Sequence, residues 1–252
     1  MSPSPGSLPP PLEPSLPEVP KMSELGRLLG VLVSPGEAFK DIARRPRWWV
    51  PVLLSAVIAT GYLYAISEHV GWEEVIRRQL DRSTAGRNMT GQQRQAVMGV
   101  YMRILPYATY AGGLLGGLLN LVVVAGVLKF LADVILGAGI GFKRLLGITA
   151  YGFLPNSLMA LLATVVLYMT PADEFDMQNP LMFNLGALVS GPPWLKALGA
   201  SFDLFSLWTL VLLSIGMAAA ARKMSAGKAF GMLLFPWALM VIMRVGSAAM
   251  FG

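Results

Sequence analysis

Five apolar stretches, at residues 48–66, 104–128, 146–169, 204–221 and 229–251, alternate with polar segments along the chain. A helix needs about 20 mostly apolar residues to cross roughly 30 Å of hydrocarbon. Lipid offers the backbone no hydrogen bonds, so a crossing segment must satisfy its own. The pattern therefore predicts an all-α, polytopic membrane helix bundle with about five transmembrane helices.

Ahead of the first stretch the period changes. Met22, Leu25, Leu28, Leu29 and Leu32 recur at helical spacing, with Lys21, Glu24 and Arg27 elsewhere, which predicts a short amphipathic helix. Ser34-Pro35-Gly36-Glu37 restarts the chain: Ser34 is placed to cap, Pro35 suits the first helical position, and Glu37 completes a capping box. The second helix sets Phe39, Ile42 and Ala43 toward one side and Lys40, Arg44 and Arg45 toward the others, and stops at Pro46. Both helices are expected to lie on the membrane face before the chain enters. Arg44, Arg45, Arg47, Trp48 and Trp49 then form interfacial anchors, since an indole favours the headgroup level.

Three segments result. Residues 1–20 hold eight prolines and no signal-peptide pattern, and read as a disordered tail, with a ligand for a proline-recognising domain as the sharper alternative. Residues 21–47 are the amphipathic juxtamembrane helices, and residues 48–252 the five-span membrane domain.

The loop 67–103 pairs Glu73 with Arg77 and Glu74 with Arg78 at helical spacing, and Thr90 with Gln93 in a second capping box. Pro106 is expected to kink the helix that follows. The loop 170–202 has apolar patches at 181–183 and 185–189 that are too short to span and are expected to dip into the interface. Asp173, Glu174 and Asp176 on that loop are a candidate hard-cation site or, more simply, a solvated cluster.

Composition narrows function. The chain is 55% hydrophobic and 13% charged, so little is left for a separate soluble domain. Its net charge of +6 sits mostly beside the spans, where anionic headgroups account for it without nucleic acid. Cysteine is absent and His69 is the single histidine, which excludes thiol chemistry and argues against a histidine-built metal site. No catalytic or nucleotide-binding motif is present, and no cofactor is implied. With the N-terminus inside, eleven Lys/Arg fall on inner segments and seven on outer ones, and both short basic loops fall inside.

Three polar or small-residue groups in the spans call for roles. Lys129 and Asp133 lie four apart at the inner end of the second span; they pair, or Lys129 reaches the headgroups alone. Asp203 and Arg244 fall at similar depths, about 27 and 22 Å above the turn joining the fourth and fifth spans. They are expected to form an ion pair, the alternative being two separate groups at the outer interface. Gly112, Gly113, Gly116 and Gly117 make two overlapping small-xxx-small pairs, which clear a helix face for another backbone within the chain or from another copy.

The order of features is similar to one family. Pro-Gly-Glu-Ala-Phe at 35–39, Arg-Pro-Arg-Trp-Trp at 45–49, Tyr-Gly-Phe-Leu-Pro at 151–155 and the run from Asp203 to Met217 resemble the Yip family, membrane proteins named for interacting with Ypt/Rab GTPases, in its bacterial form. The resemblance covers about residues 29–249. It implies a five-span bundle with a cytosolic N-terminus, here in a bacterial inner membrane. Eukaryotic relatives act in vesicle traffic, but the N-terminal acidic and aromatic motif tied to that role is not evident, so GTPase binding is not carried over. The leading expectation is a non-enzymatic adaptor or organiser whose partners are the lipid bilayer and a membrane protein or a second copy. The alternative is a small transporter or channel subunit, which requires a cavity lined by Asn120, Asn156, Asp203 or Arg244.

Overall fold

The computed structural model describes residues 21–177, 179–221 and 224–251. The Pro-rich tail and the basic pair Arg222 and Lys223 lie outside them. The chain runs through α1 (Glu24–Val33), α2 (Pro35–Arg44) and α3 (Trp49–His69), then α4 (Trp72–Arg82) and α5 (Thr84–Arg87). There follow α6 (Gly91–Leu136), α7 (Phe142–Gly152), α8 (Leu154–Met169), a 3₁₀ turn (Leu185–Leu188), α9 (Pro193–Ala200), α10 (Leu204–Ala220) and α11 (Ala226–Phe251). The described residues contain no sheet, only an isolated antiparallel bridge between Asn184 and Asp203.

Among the described residues four helical runs are long and apolar enough to cross a bilayer: Trp49–His69, Gly91–Ile135, Phe142–Met169 and Ala226–Met250. Of the five expected stretches, the fourth, α10, is the shorter apolar helix. Its 17 residues rise about 26 Å, short of the ~30 Å of hydrocarbon. The opposite departure is α6, whose 46 residues rise about 69 Å and must project well beyond the bilayer. It opens on the expected capping box, with Gln93 N donating to Thr90 Oγ1 at 3.3 Å and Thr90 N to Gln93 Oε1 at 2.9 Å. It contains Pro106 within the helix and ends on Gly137, whose φ of 56° suits a residue without a Cβ.

The main core sits at the end of the bundle that carries α1, α2 and the turn after α6. Val31, Phe39 and Ile42 are fully buried there with Leu128, Leu145, Ile148, Tyr151, Leu212 and Met217. Lipid tails are as apolar as leucine, so membrane helices associate through close packing of small residues rather than through the hydrophobic effect. Gly216 shows this: a Cβ there would stand 2.4 Å from Ile148 Cγ2 and 3.0 Å from Phe39 Cδ1. Gly152 likewise admits Leu213, whose Cδ2 would be 2.6 Å from an added Cβ. At the far end a smaller cluster joins Ala65 and Ile66 of α3 to Leu167 of α8 and Phe175.

Three local expectations change. The apolar face of α2 does not simply rest on the membrane; Ala38, Phe39, Ile42 and Ala43 are buried, largely against α7 and α10. Periodicity identifies an apolar face but not what covers it. Ser34 makes no side-chain capping bond, so α2 starts on Pro35 alone. Arg77 bonds Glu74 rather than Glu73, so one carboxylate takes both Arg77 and Arg78.

Candidate functional site

The first polar constellation lies where α1 and α2 dock. Arg27 Nε donates to Asp41 Oδ2 at 2.7 Å, and both side chains are 1% exposed. Arg27 Nη1 also reaches Glu24 Oε1 at 3.2 Å, while Arg47 Nη1 donates to the same oxygen at 3.1 Å. Tyr151 OH on α7 donates to Glu24 Oε2 at 2.9 Å, which ties the N-terminal helices to the bundle. Burial works against the Arg27 cation, but the hydrogen bond and charge of Asp41 and the charge of Glu24 outweigh it and hold the pKa above the ordinary guanidinium value.

At the far end α4 clamps the loop after α8. Arg78 donates to the carbonyls of Ala172 at 2.6 Å and Phe175 at 2.9 Å while bonding Glu74 Oε1 at 2.6 Å. The hydrogen bond from Arg78, then that from Arg77, holds Glu74 below the ordinary carboxylate value. Arg82 bonds Asp176 Oδ1 at 3.5 Å. Among the described residues no three carboxylates or histidines converge on a metal position, so Asp173, Glu174 and Asp176 do not form the candidate cation site.

Between these two ends runs a groove of about 500 Å³. Its walls come from α3 (Ala59, Tyr62, Leu63), α8 (Met159, Ala160, Ala163) and α10 (Phe205), with Gly113 of α6. Its polar groups are Asn156, Asn179, Asn184, Asp203, Ser206 and Arg244. Asn156 lies near the middle of the run Phe142–Met169, about 20 Å from either end. The groove thus begins at mid-depth and opens toward the N-terminal end of α10. The buried cluster around Leu212, Leu213 and Met217 fills the bundle on the other side.

The structure brings Asp203 and Arg244 to this one groove without the direct ion pair the spacing predicts; no pair within 4.0 Å joins them among the described residues. Asp203 Oδ1 instead caps α10, accepting from Phe205 N at 3.0 Å and Ser206 N at 2.9 Å. Arg244 Nη1 donates to Ala200 O at 3.3 Å. Both groups are drawn to backbone orphans at helix ends, which depth arithmetic does not anticipate. Lys129 and Asp133 do pair, through Oδ2, leaving Asp133 Oδ1 buried without a hydrogen bond. Asn120 is exposed and lies outside the groove lining.

The glycines of α6 find almost no partner within the chain. Nothing lies within 4 Å of a Cβ built on Gly112, Gly116 or Gly117, and Gly113 meets only Leu63 Cδ1 at 3.3 Å. Residues 111–120 are exposed throughout. Among the anchors, Arg44 and Trp49 are exposed, Arg45 reaches Asp41 at 3.7 Å, Arg47 holds Glu24, and Trp48 packs on the Leu121, Ala125 and Leu146 cluster.

The residues that sequence reasoning missed are Asp41, Gly152 and Gly216. Asp41 falls among Phe39, Ile42 and Ala43, so an acid on an apolar face was the available signal. The two glycines sit singly, without the four-residue spacing that marks Gly112 and Gly116.

Comparison with known proteins bears on this arrangement. The model of the Yip1 domain family matches residues 29–246, from within α1 to within α11. The membrane protein YknW of Bacillus subtilis (strain 168) is 28% identical over 200 residues, covering 77% of this chain and 78% of that protein. No solved structure matches.

Proposed function

This chain belongs to the Yip1 domain family, and from that premise we propose that it is a non-enzymatic, membrane-embedded adaptor that works by presenting a bare helix face to a partner helix. The observation that carries this is residues 111–120 of α6: ten consecutive exposed positions with Gly112, Gly116 and Gly117 uncontacted. Small residues four apart let a second backbone approach closely in lipid, where van der Waals contact drives association. The occupant is another membrane protein or a second copy. The packed core at the α1–α2 end serves as the rigid base of this face, and the basic residues there support a cytosolic side for that end, in a bacterial inner membrane.

The test is photo-cross-linking in intact membranes from a probe at Leu115 or Leu119, both exposed. A discrete protein adduct is expected, and Gly116→Leu should abolish it while leaving the amount of folded protein unchanged. Adducts to lipid alone would sink the reading.

The groove favours a second reading, a small transporter subunit, because Asn156, Asp203 and Arg244 line it together. The packed cluster beyond mid-depth weighs against a continuous path. Because the chain has no cysteine, single cysteines at Ser206 and Ser214 report this directly. Labelling of both by a water-soluble maleimide would favour a path; labelling of position 206 alone favours a closed base.

A further inference from the structure

We propose that the groove holds the headgroup and upper chain of one zwitterionic phospholipid, its ammonium against Asp203 and its phosphate against Arg244. This is independent of the partner reading, which concerns the exposed face of α6.

The charges carry the argument. Asp203 and Arg244 line one cavity yet do not pair with each other. The α10 cap uses Asp203 Oδ1, while Oδ2 takes no hydrogen bond from any described residue. Arg244 has one bond, from Nη1 to Ala200 O, and its remaining donors have no partner among the described residues. A guanidinium has five N–H donors in a planar fork that suits a phosphate. The groove therefore offers one free carboxylate oxygen and one mostly free guanidinium in the same space. A ligand carrying an ammonium and a phosphate a few bonds apart complements both. An anionic phospholipid satisfies Arg244 but sets its charge near Asp203 uncompensated, which is discrimination by repulsion.

The walls choose the source of that headgroup. Ala59, Leu63, Met159 and Ala160 form an apolar side running toward mid-depth, where a soluble zwitterion gains nothing and an acyl chain fits. The volume of about 500 Å³ lies within the range of about 300–1,000 Å³ usual for small-molecule sites. It accommodates a headgroup and the start of a chain, the rest remaining in the bilayer.

The test is native mass spectrometry on the purified, delipidated full chain, titrated with phosphatidylethanolamine and phosphatidylglycerol of identical acyl chains. Wild type is expected to retain the ethanolamine lipid about tenfold better, the size of one charge-assisted hydrogen bond. Asp203→Asn keeps a capping oxygen and should erase that preference. Arg244→Gln should weaken retention of both lipids. Equal retention of the two lipids by wild type overturns the proposal, and this comparison needs no variant to fold. So does a preference undiminished in Asp203→Asn, or displacement of the lipid by an equal concentration of glycerophosphoethanolamine, which lacks chains.

Discussion

Arg27 and Asp41 are the most thoroughly buried opposite charges described in this protein, each 1% exposed and joined at 2.7 Å. Removing one partner of such a pair strands the other charge, which typically costs about 3–5 kcal/mol, whereas replacing both with apolar groups is often neutral. Asp41→Ala is therefore expected to lower stability by about 3–5 kcal/mol, read as a fall in Tm of the detergent-solubilised protein. Arg27→Met combined with Asp41→Leu should recover most of it. If the single and double variants melt together, the pair is not what holds α1 to α2. The spacing of apolar residues placed Arg27 on a polar side, and nothing in the local sequence said that Asp41 would meet it. Their partnership depends on how two helices fold onto each other at Ser34, and that angle is set by what lies beneath them.

At the scale of elements, α10 shows why a shorter helix can sit at the centre. It buries Phe205, Thr209, Leu212, Leu213, Ser214, Gly216 and Met217. At Gly216 an added Cβ would meet both Phe39 of α2 and Ile148 of α7. Gly216→Ala is expected to destabilise by about 1–3 kcal/mol through overpacking, whereas Gly112→Ala, on the bare stretch of α6, should leave monomer stability nearly unchanged. Thermal unfolding of the two variants side by side checks this, and equal losses would contradict the packing described. The element α4 adds a pH dependence. Glu74 has its pKa lowered in the folded state, so the stability it lends is present above the unfolded value of about 4.3 and is lost as pH falls through the folded one. Hydrogen exchange of residues 172–176 should accordingly rise below that value in wild type. Glu74→Gln should show the faster exchange already at neutral pH. The existence of α4 and its charges was legible from Glu74 and Arg78 four apart; its grip on the Ala172 and Phe175 carbonyls, some 94 and 97 residues away, was not.

For the whole molecule, the consequence is an asymmetric bundle, packed at the α1–α2 end and grooved toward the other. A chain lacking residues 21–47 is expected to lose its monodisperse species on size-exclusion chromatography in detergent, because Val31, Phe39 and Ile42 complete the main core. A peripheral anchor could be removed without that loss. The all-helical membrane class, the family and the approximate limits of the apolar runs were all present in the pattern of residues. The class and the limits follow from local rules, the length of apolar chain a bilayer demands and backbone hydrogen bonds closed within four residues; the family rests on the resemblance of particular motifs, such as the run from Asp203 to Met217. Tertiary structure alone decided that α2 packs inward, that the glycines of α6 stay bare while Gly216 is used, and that Asp203 and Arg244 share a groove instead of a bond. Those outcomes rest on which surfaces meet across the bundle, and helix periodicity carries no information about the identity of the opposing face.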